Sequence, residues 1–392
     1  MNEDSSYTIQ AIDSMAQINA TDWNALVRHG YPFLDHGFMQ ALETHHCVGP
    51  ETGWVPRHLC YFHGDRLVAA VPLYEKYNSW GEFVFDHAWA DAYSRYGVEY
   101  YPKLVCAMPF TPATGQRLLV RDDERDSGSR LMVAAMKQFM DQEGYSGVHC
   151  LFPDDRDFRD LNQQGAVWRH DCQYHWHNRD YTDFEHFLSS LKSRKRKKIR
   201  QERRRVRDSG LNIRWLDGNT ASAEDWAQFT RLYRNIYNRK YGMPAFNQGF
   251  FMDAATVMPD RVQLVLADRE GASVAGALMY CDEQTLYGRH WGCDGYFDCL
   301  HFELCYYQGI EFCIRRGLKK FDPGAQGEHK VARGFIPTST RSLHWIADSA
   351  FNQAIRDFVQ REQQGVQRYI DAMSAHSPYN NDFQGERAAP AP

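Results

Sequence analysis

No stretch of this sequence approaches the roughly 18 consecutive apolar residues that a membrane-spanning helix needs. Runs such as 67–73 and 262–267 have the length of strands instead. The ten cysteines, at 47, 60, 106, 150, 172, 281, 293, 299, 305 and 313, never stand as CxxC and are spread through apolar segments. That distribution argues against zinc knuckles and a disulfide framework, and predicts reduced, buried side chains. The opening MNEDSSYT is acidic and polar, without a basic start, an apolar stretch or a small-residue cleavage site. No secretory signal is read there, and a cytoplasmic location is expected.

What is present is material for cores. Hydrophobic residues make up 43%, aromatics 14% and charged residues 24% of 392 residues, which predicts a globular chain rather than a disordered one. At roughly 100–200 residues per domain the length predicts two or three units. The formal charge of −5 conceals an asymmetry. Residues 192–207 hold eleven Lys and Arg against the single acid Glu202, a segment of +10 on a remainder of −15.

Patterning in the C-terminal half predicts a strand at 212–216, helices at 223–240 and 247–257, and strands at 262–267, 273–281 and 285–291. A helix at 300–316 closed by Gly317, strands at 319–322 and 342–347, and a helix at 349–373 follow, with a frayed tail from Ser377. The N-terminal half repeats this order. It has a strand at 7–12, helices at 21–28 and 35–45, and strands at 58–62, 67–74 and 82–86. An aromatic and Pro-rich insertion at 89–117 precedes a helix at 129–143, a strand at 147–152, a helix at 155–164 and a strand at 167–177. VAAVPLY at 68–74 and VAGALMY at 274–280 echo one another 206 residues apart. The reading is a tandem repeat of one α/β (α+β) fold: unit 1–182, basic helical connector 183–210, unit 211–376 and a disordered tail 377–392.

The order β-α-α-β-β-β-α-β-α-β resembles the GNAT acyltransferase fold, and two such units joined by a basic segment resemble the Fem-type aminoacyltransferases. The strings PETGWVPRHL (50–59), FVFDHAWADAY (83–93), YYPKL (100–104), PFTPATGQRLLV (109–120), HWHNR (175–179), SRKRKKIRQERR (193–204), LYGRHWG (286–292), LHFELCYYQGIE (300–311) and GAQGEHKVARGF (324–335) resemble the FemAB-like, peptidoglycan biosynthesis/recognition branch. The resemblance spans about residues 20–360. It implies an N-acyltransferase, with aminoacyl transfer from aminoacyl-tRNA to a small-molecule or peptide amine, such as a peptidoglycan precursor, as the leading expectation. An acyl-CoA-dependent N-acetyltransferase and a non-catalytic peptide or glycan recognition protein are the alternatives. No metal or tightly bound cofactor is implied; the donor substrate is aminoacyl-tRNA or acyl-CoA. One departure bears on the donor. GNAT enzymes carry a Q/R-x-x-G-x-G/A loop after the fourth strand, whose N–H groups hold a diphosphate. Here the stretch is Cys293-Asp294-Gly295-Tyr296-Phe297-Asp298-Cys299, one glycine and two carboxylates.

Four constellations carry candidate chemistry. In the basic segment, a helix over 186–207 puts Leu188, Leu191, Ile199 and Val206 on one face, leaving Arg194, Lys195, Lys197, Lys198, Arg204 and Arg205 to bind RNA or phosphate. After KKFDP, the residues Asp322, Gly324, Lys330 and Phe335 match the Fem-type pattern. The resemblance makes Lys330 the group that holds a developing oxyanion, with Glu328 and His329 as proton-transfer candidates and Gln326 and Arg333 as substrate contacts. Along the fourth strand, Tyr287, Arg289 and Trp291 share one face and His290 the other. Glu303 on the next helix lies in line with Tyr307, an inward carboxylate that either pairs with Arg289 or His301 or serves the reaction by holding a substrate amine or acting as general base. In the first unit, Trp89, Asp91, Tyr93, Tyr101, Lys103, Thr111 and Arg117 could line an acceptor groove. His175 and His177 are read as a hydrogen-bonded cleft edge rather than a metal pair.

Overall fold

Two parallel strand pairs, one in each half of the chain, carry the architecture. Lys103–Cys106 runs beside Gly147–Leu151, with Leu104 opposite Val148; Thr285–Cys293 runs beside Lys320–Asp322, with Leu286 opposite Phe321. A parallel pair needs a long crossover. A helix supplies it both times: Arg125–Glu143 in the first half, and in the second a helix in three segments, Leu300–Phe302, a π-turn at Glu303–Tyr307, and Gln308–Arg316. Gly317 ends the latter in the left-handed region, at φ 68°. The computed structural model describes residues 7–240, 242–325 and 327–380. They divide into two compact units, 7–171 with 339–368 and 172–338 with 369–380.

In unit 1 an antiparallel sheet orders Tyr7–Ile12, His58–His63, Arg66–Val71 and Leu119–Val120. A second sheet runs Trp54–Pro56, Tyr74–Lys76, Lys103–Cys106, Gly147–Leu151 and then residues 342–346. Leu104, Cys106, Val148 and Cys150 pack with Met132 and Met136 from the crossover helix. In unit 2 the order is Asn212–Asp217, Val262–Arg269, Ala272–Cys281, Thr285–Cys293, Lys320–Asp322 and then residues 176–177. Val265, Ala277, Met279 and Leu286 form its core with Leu304, Tyr307 and Ile310. Burying side chains of this size contributes roughly 1.5–3 kcal/mol each before ordering entropy is subtracted. Gly309 sets how closely the helix lies on the sheet. A Cβ there would come within 2.4 Å of the Phe321 ring.

The units divide the chain differently from the sequence boundaries, because each sheet is completed by a strand from the other half of the sequence: residues 342–346 in unit 1 and 172–177 in unit 2. The expected connector 183–210 belongs to unit 2, where Ile199 and Val206 enter the core. Nor is 186–207 one helix. Phe184–Ser189 and Ser193–Arg207 are separated where Leu191 bridges to Tyr379. That bridge also corrects the tail: Tyr379 is buried and its hydroxyl donates to the Gly334 carbonyl at 2.6 Å. Residues 381–392 lie outside the described residues.

The expected strand at 82–86 is a loop with inverted polarity. Glu82 and Asp86 are buried while Phe83 and Phe85 are 37% and 61% exposed. Lys103 causes the inversion. Its ammonium sits fully buried against Glu82 at 2.8 Å and against Asp86, and buried charges must be paired. The strand Lys103–Cys106 lies inside the segment expected to be an insertion, which also contains part of the helix His87–Arg95.

Candidate functional site

The second parallel pair stops early. Hydrogen bonding ends at Tyr287 opposite Asp322, yet the first strand continues to Cys293. Where the strands part lies a cavity of 80 Å³ bordered by Gly288, Arg289, Trp291, Cys305, Tyr306 and Pro323. It is smaller than the ~300–1,000 Å³ of sites for whole drug-sized ligands, and has the scale of a small acyl group. Next to Pro323 of its wall, Asp322, 1% exposed, takes a 2.7 Å ion pair from the cavity-lining Arg289 and a 3.0 Å bond from Gly324 N, with His175 Nε2 3.8 Å away. Burial pushes the Asp322 carboxyl up, but Arg289 and then His175 hold it far below the carboxylate range. Burial takes the His175 imidazole down to about 3, so it is neutral.

The Gly-rich turn 324–327 leads into the short helix Glu328–Arg333. Lys330 is 2% exposed, and among the described residues its ammonium bonds only the neutral Gly324 carbonyl, at 2.6 Å. Burial brings its value down to about 8, with Asp322 opposing and Arg289 reinforcing the shift. His329 and Glu328 are exposed, the first bonded to Tyr306 at 2.9 Å and the second to Tyr369 at 2.8 Å. Arg333 makes a paired contact with Glu202, at 3.2 and 2.8 Å, and lies over the Phe302 ring. Tyr307 donates to the same Glu202. Glu303 is bound by Arg203 at 2.9 and 3.2 Å and by Gln308 at 2.8 Å, while Arg203 also takes Glu311 at 2.8 Å. The inward carboxylate is therefore paired to the basic helix rather than to Arg289 or His301. Both oxygens are engaged, which corrects its reading as a proton acceptor.

The sequence profile of the FemAB-like family, described as peptidoglycan biosynthesis/recognition, matches residues 14–381. The chain belongs to the FemAB-like family. Membership supports a Fem-type, peptidoglycan-related transferase. Among solved structures, "Crystal structure of FemX" is similar at 11% identity and TM-score 0.52, covering 86% of this chain and 98% of that one. L-PGS from Bacillus licheniformis is similar at 12% and 0.50, covering 78% and 89%. A conserved protein of unknown function from Bacteroides thetaiotaomicron is similar at 12% and 0.50, covering 86% and 99%. These likenesses are of fold, a duplicated GNAT-like α/β fold. No curated protein matches the chain by sequence. Among the described residues no helix is long and apolar enough to cross a membrane.

In this FemAB-like chain the structure gathers Arg289, Trp291, His175, Asp322 and Lys330 around or beside the cavity, and sends other candidates elsewhere. His290 also borders the cavity, but its ring packs among Tyr233, Phe246 and Phe251, and burial takes its imidazole down to about 3. Tyr287 bonds Asp282 at 2.8 Å. His177 is half-buried beside Lys320, its strand neighbour, and is pushed down to about 4 chiefly by burial. Gln326 lies outside the described residues. In unit 1, Arg117 gives its guanidinium donors to the carbonyls of Leu151, Gln116 and Ala113, at 2.7–2.8 Å, and Thr111 bonds Pro109 O at 3.0 Å. Both hold the loop's own backbone, which corrects their reading as substrate contacts. Lys103 is corrected likewise, being consumed by its carboxylates. Trp89 lies buried under Arg169, Tyr93 stacks on Phe351 at 3.8 Å, Tyr101 bonds Ser79 at 2.7 Å, and Asp91 is exposed.

Along the basic helix, Arg194, Lys195, Lys197 and Arg204 have no ion-pair partner among the described residues. Lys198 approaches Glu202 at 3.9 Å and Arg205 pairs with Asp298 at 2.8 Å. Sequence reasoning missed Arg203, Glu202 and Tyr306. Glu202 had a signal, as the one acid in an otherwise basic run; Arg203 had none, because ten like charges surround it.

Proposed function

We propose that this chain is an N-acyltransferase of the Fem type that moves an aminoacyl group from aminoacyl-tRNA to an amine of a peptidoglycan-precursor-like peptide, with its reaction centre where the strands part in unit 2. The observation that carries the proposal is Lys330: a buried ammonium bonded, among the described residues, only to the neutral Gly324 carbonyl, beside a cavity of acyl-group size. When an amine attacks an ester carbonyl, negative charge develops on the carbonyl oxygen. A fixed cation in a site shielded from water lowers that barrier without having to reorganise.

The donor reading rests on two features. Asp298 precedes the helix that begins at Leu300, accepts from its neighbour Cys299 and pairs with Arg205, so a carboxylate already stands where GNAT enzymes hold a diphosphate. This disfavours acyl-CoA. The uncommitted cations of the helix Ser193–Arg207 suit a nucleic-acid backbone instead. Replacing Arg194, Lys195, Lys197 and Arg204 together by Gln is expected to weaken tRNA binding and to flatten its salt dependence by about 3–4 in the slope of log K against log salt, about 0.9 for each phosphate no longer neutralised. Titrations of charged tRNA at several salt concentrations measure this. An unchanged slope removes the helix from the tRNA site.

A further inference from the structure

We infer that Tyr306 takes the proton from the attacking amine and passes it to His329, an inference that rests on the reaction centre proposed above. Tyr306 lines the cavity, and its hydroxyl lies 2.9 Å from His329 Nε2. His329 is exposed and does not border the cavity. One hydrogen bond thus joins a cavity-lining hydroxyl to an exposed imidazole.

The fold fixes both ends of this link. Tyr306 sits in the π-turn Glu303–Tyr307, a local widening of the helix of a kind that often marks functional positions. With Glu303 bound to Arg203 and Tyr307 to Glu202, the turn leaves Tyr306 facing the cavity. Its ring is held by Phe302, His301 and Phe335, at centroid distances of 5.3–6.1 Å. On the other side, Gly327 has φ +118°, and a Cβ there would come within 2.5 Å of the His329 ring. The imidazole occupies space that only glycine leaves open. Partial burial of the ring, then Arg333 and Lys330, hold His329 below its ordinary value, which favours the neutral, proton-accepting form. The other groups facing it are Tyr306 and His301; neighbouring Glu328 is bonded to Tyr369.

In the step, the amine lone pair forms the C–N bond while the carbonyl π pair moves to oxygen near Lys330. The N–H proton goes to the Tyr306 oxygen as the tyrosine's own proton goes to Nε2. The carbonyl then re-forms, the ribose oxygen leaves with the C–O pair and takes a proton from water, and the exposed imidazolium returns one to water.

Tyr306→Phe keeps the ring packing and removes the relay oxygen; His329→Gln removes the acceptor. Each is expected to lower kcat roughly 10²–10⁴-fold with KM little changed, and the double variant to be no slower than the slower single, since the two act as a unit. The acid limb of the wild-type kcat profile disappears in His329→Gln. Thermal melts establish that the variants are folded. A Tyr306→Phe enzyme with wild-type kcat and an intact acid limb, or losses that multiply in the double variant, overturns the relay. Lys330→Ala run alongside separates the two claims. If it abolishes transfer while Tyr306→Phe does not, the relay fails and the centre stands. If neither changes transfer, the centre itself is wrong and the relay falls with it.

Discussion

Replacing Lys330 by alanine or methionine lowers acyl transfer about 10²–10³-fold, the scale of losing one preorganised oxyanion donor, while the protein stays folded. Methionine keeps most of the buried stem, so equal losses in the two variants assign the effect to the charge. The pH dependence sharpens this expectation. The folded-state value of about 8 lies below the ordinary 10.5, so the ammonium is lost as pH rises through about 8 and transfer falls with it. Stability moves the other way. Between pH 8 and 10.5 the unfolded chain binds more protons than the folded one at this group, so its contribution to stability increases with pH. A rate that declines while the melting temperature holds or rises therefore separates titration of Lys330 from unfolding. A flat rate across pH 7–9.5 contradicts a charged Lys330 in the rate-limiting step.

Asp322→Asn is expected to destabilise the protein by roughly 3–5 kcal/mol, the cost of breaking a buried ion pair from one side. It leaves Arg289, whose side chain is 2% exposed, without its carboxylate, and takes the anion away from Lys330 as well. The wild-type carboxyl is held well below its ordinary value. Its stabilisation is therefore fully present above about pH 4 and is lost as pH falls through the folded-state value. Urea unfolding at pH 7 and pH 3 checks both parts: a large loss in the variant at pH 7, and a difference that has begun to narrow at pH 3, where the unfolded carboxyl is protonated and the folded one is not. A variant as stable as wild type at pH 7 would mean that Arg289 finds another anion.

Lys330 and Glu303 were singled out in different ways. The resemblance to the Fem-type pattern, an Asp-x-Gly at a strand end followed by a lysine, pointed to Lys330, and the structure buries that lysine against the Gly324 carbonyl. Glu303 was legible as an inward carboxylate from helical spacing. Its partner was not, because Arg203 lies 100 residues away in a run of similar cations. Strand order in the second half could be read from apolar runs between turns. The exchange of residues 172–177 and 342–346 between the halves could not, since nothing local distinguishes which sheet a strand edge joins. The segment EFVFD at 82–86 misled because alternation was read with the apolar side inward. Buried Lys103 reverses the sides, and that lysine was expected in an acceptor groove rather than between these two carboxylates.

The most direct measurement is single-turnover transfer from isolated aminoacyl-tRNA to an amine-bearing peptidoglycan-precursor peptide, following loss of the charged tRNA and appearance of the acylated peptide together, for wild type and Lys330→Ala. Stoichiometric transfer by wild type, with the variant slowed about 10²-fold or more, is the predicted result. Equal rates for the two proteins, no product from aminoacyl-tRNA, or transfer from acyl-CoA alone would contradict it.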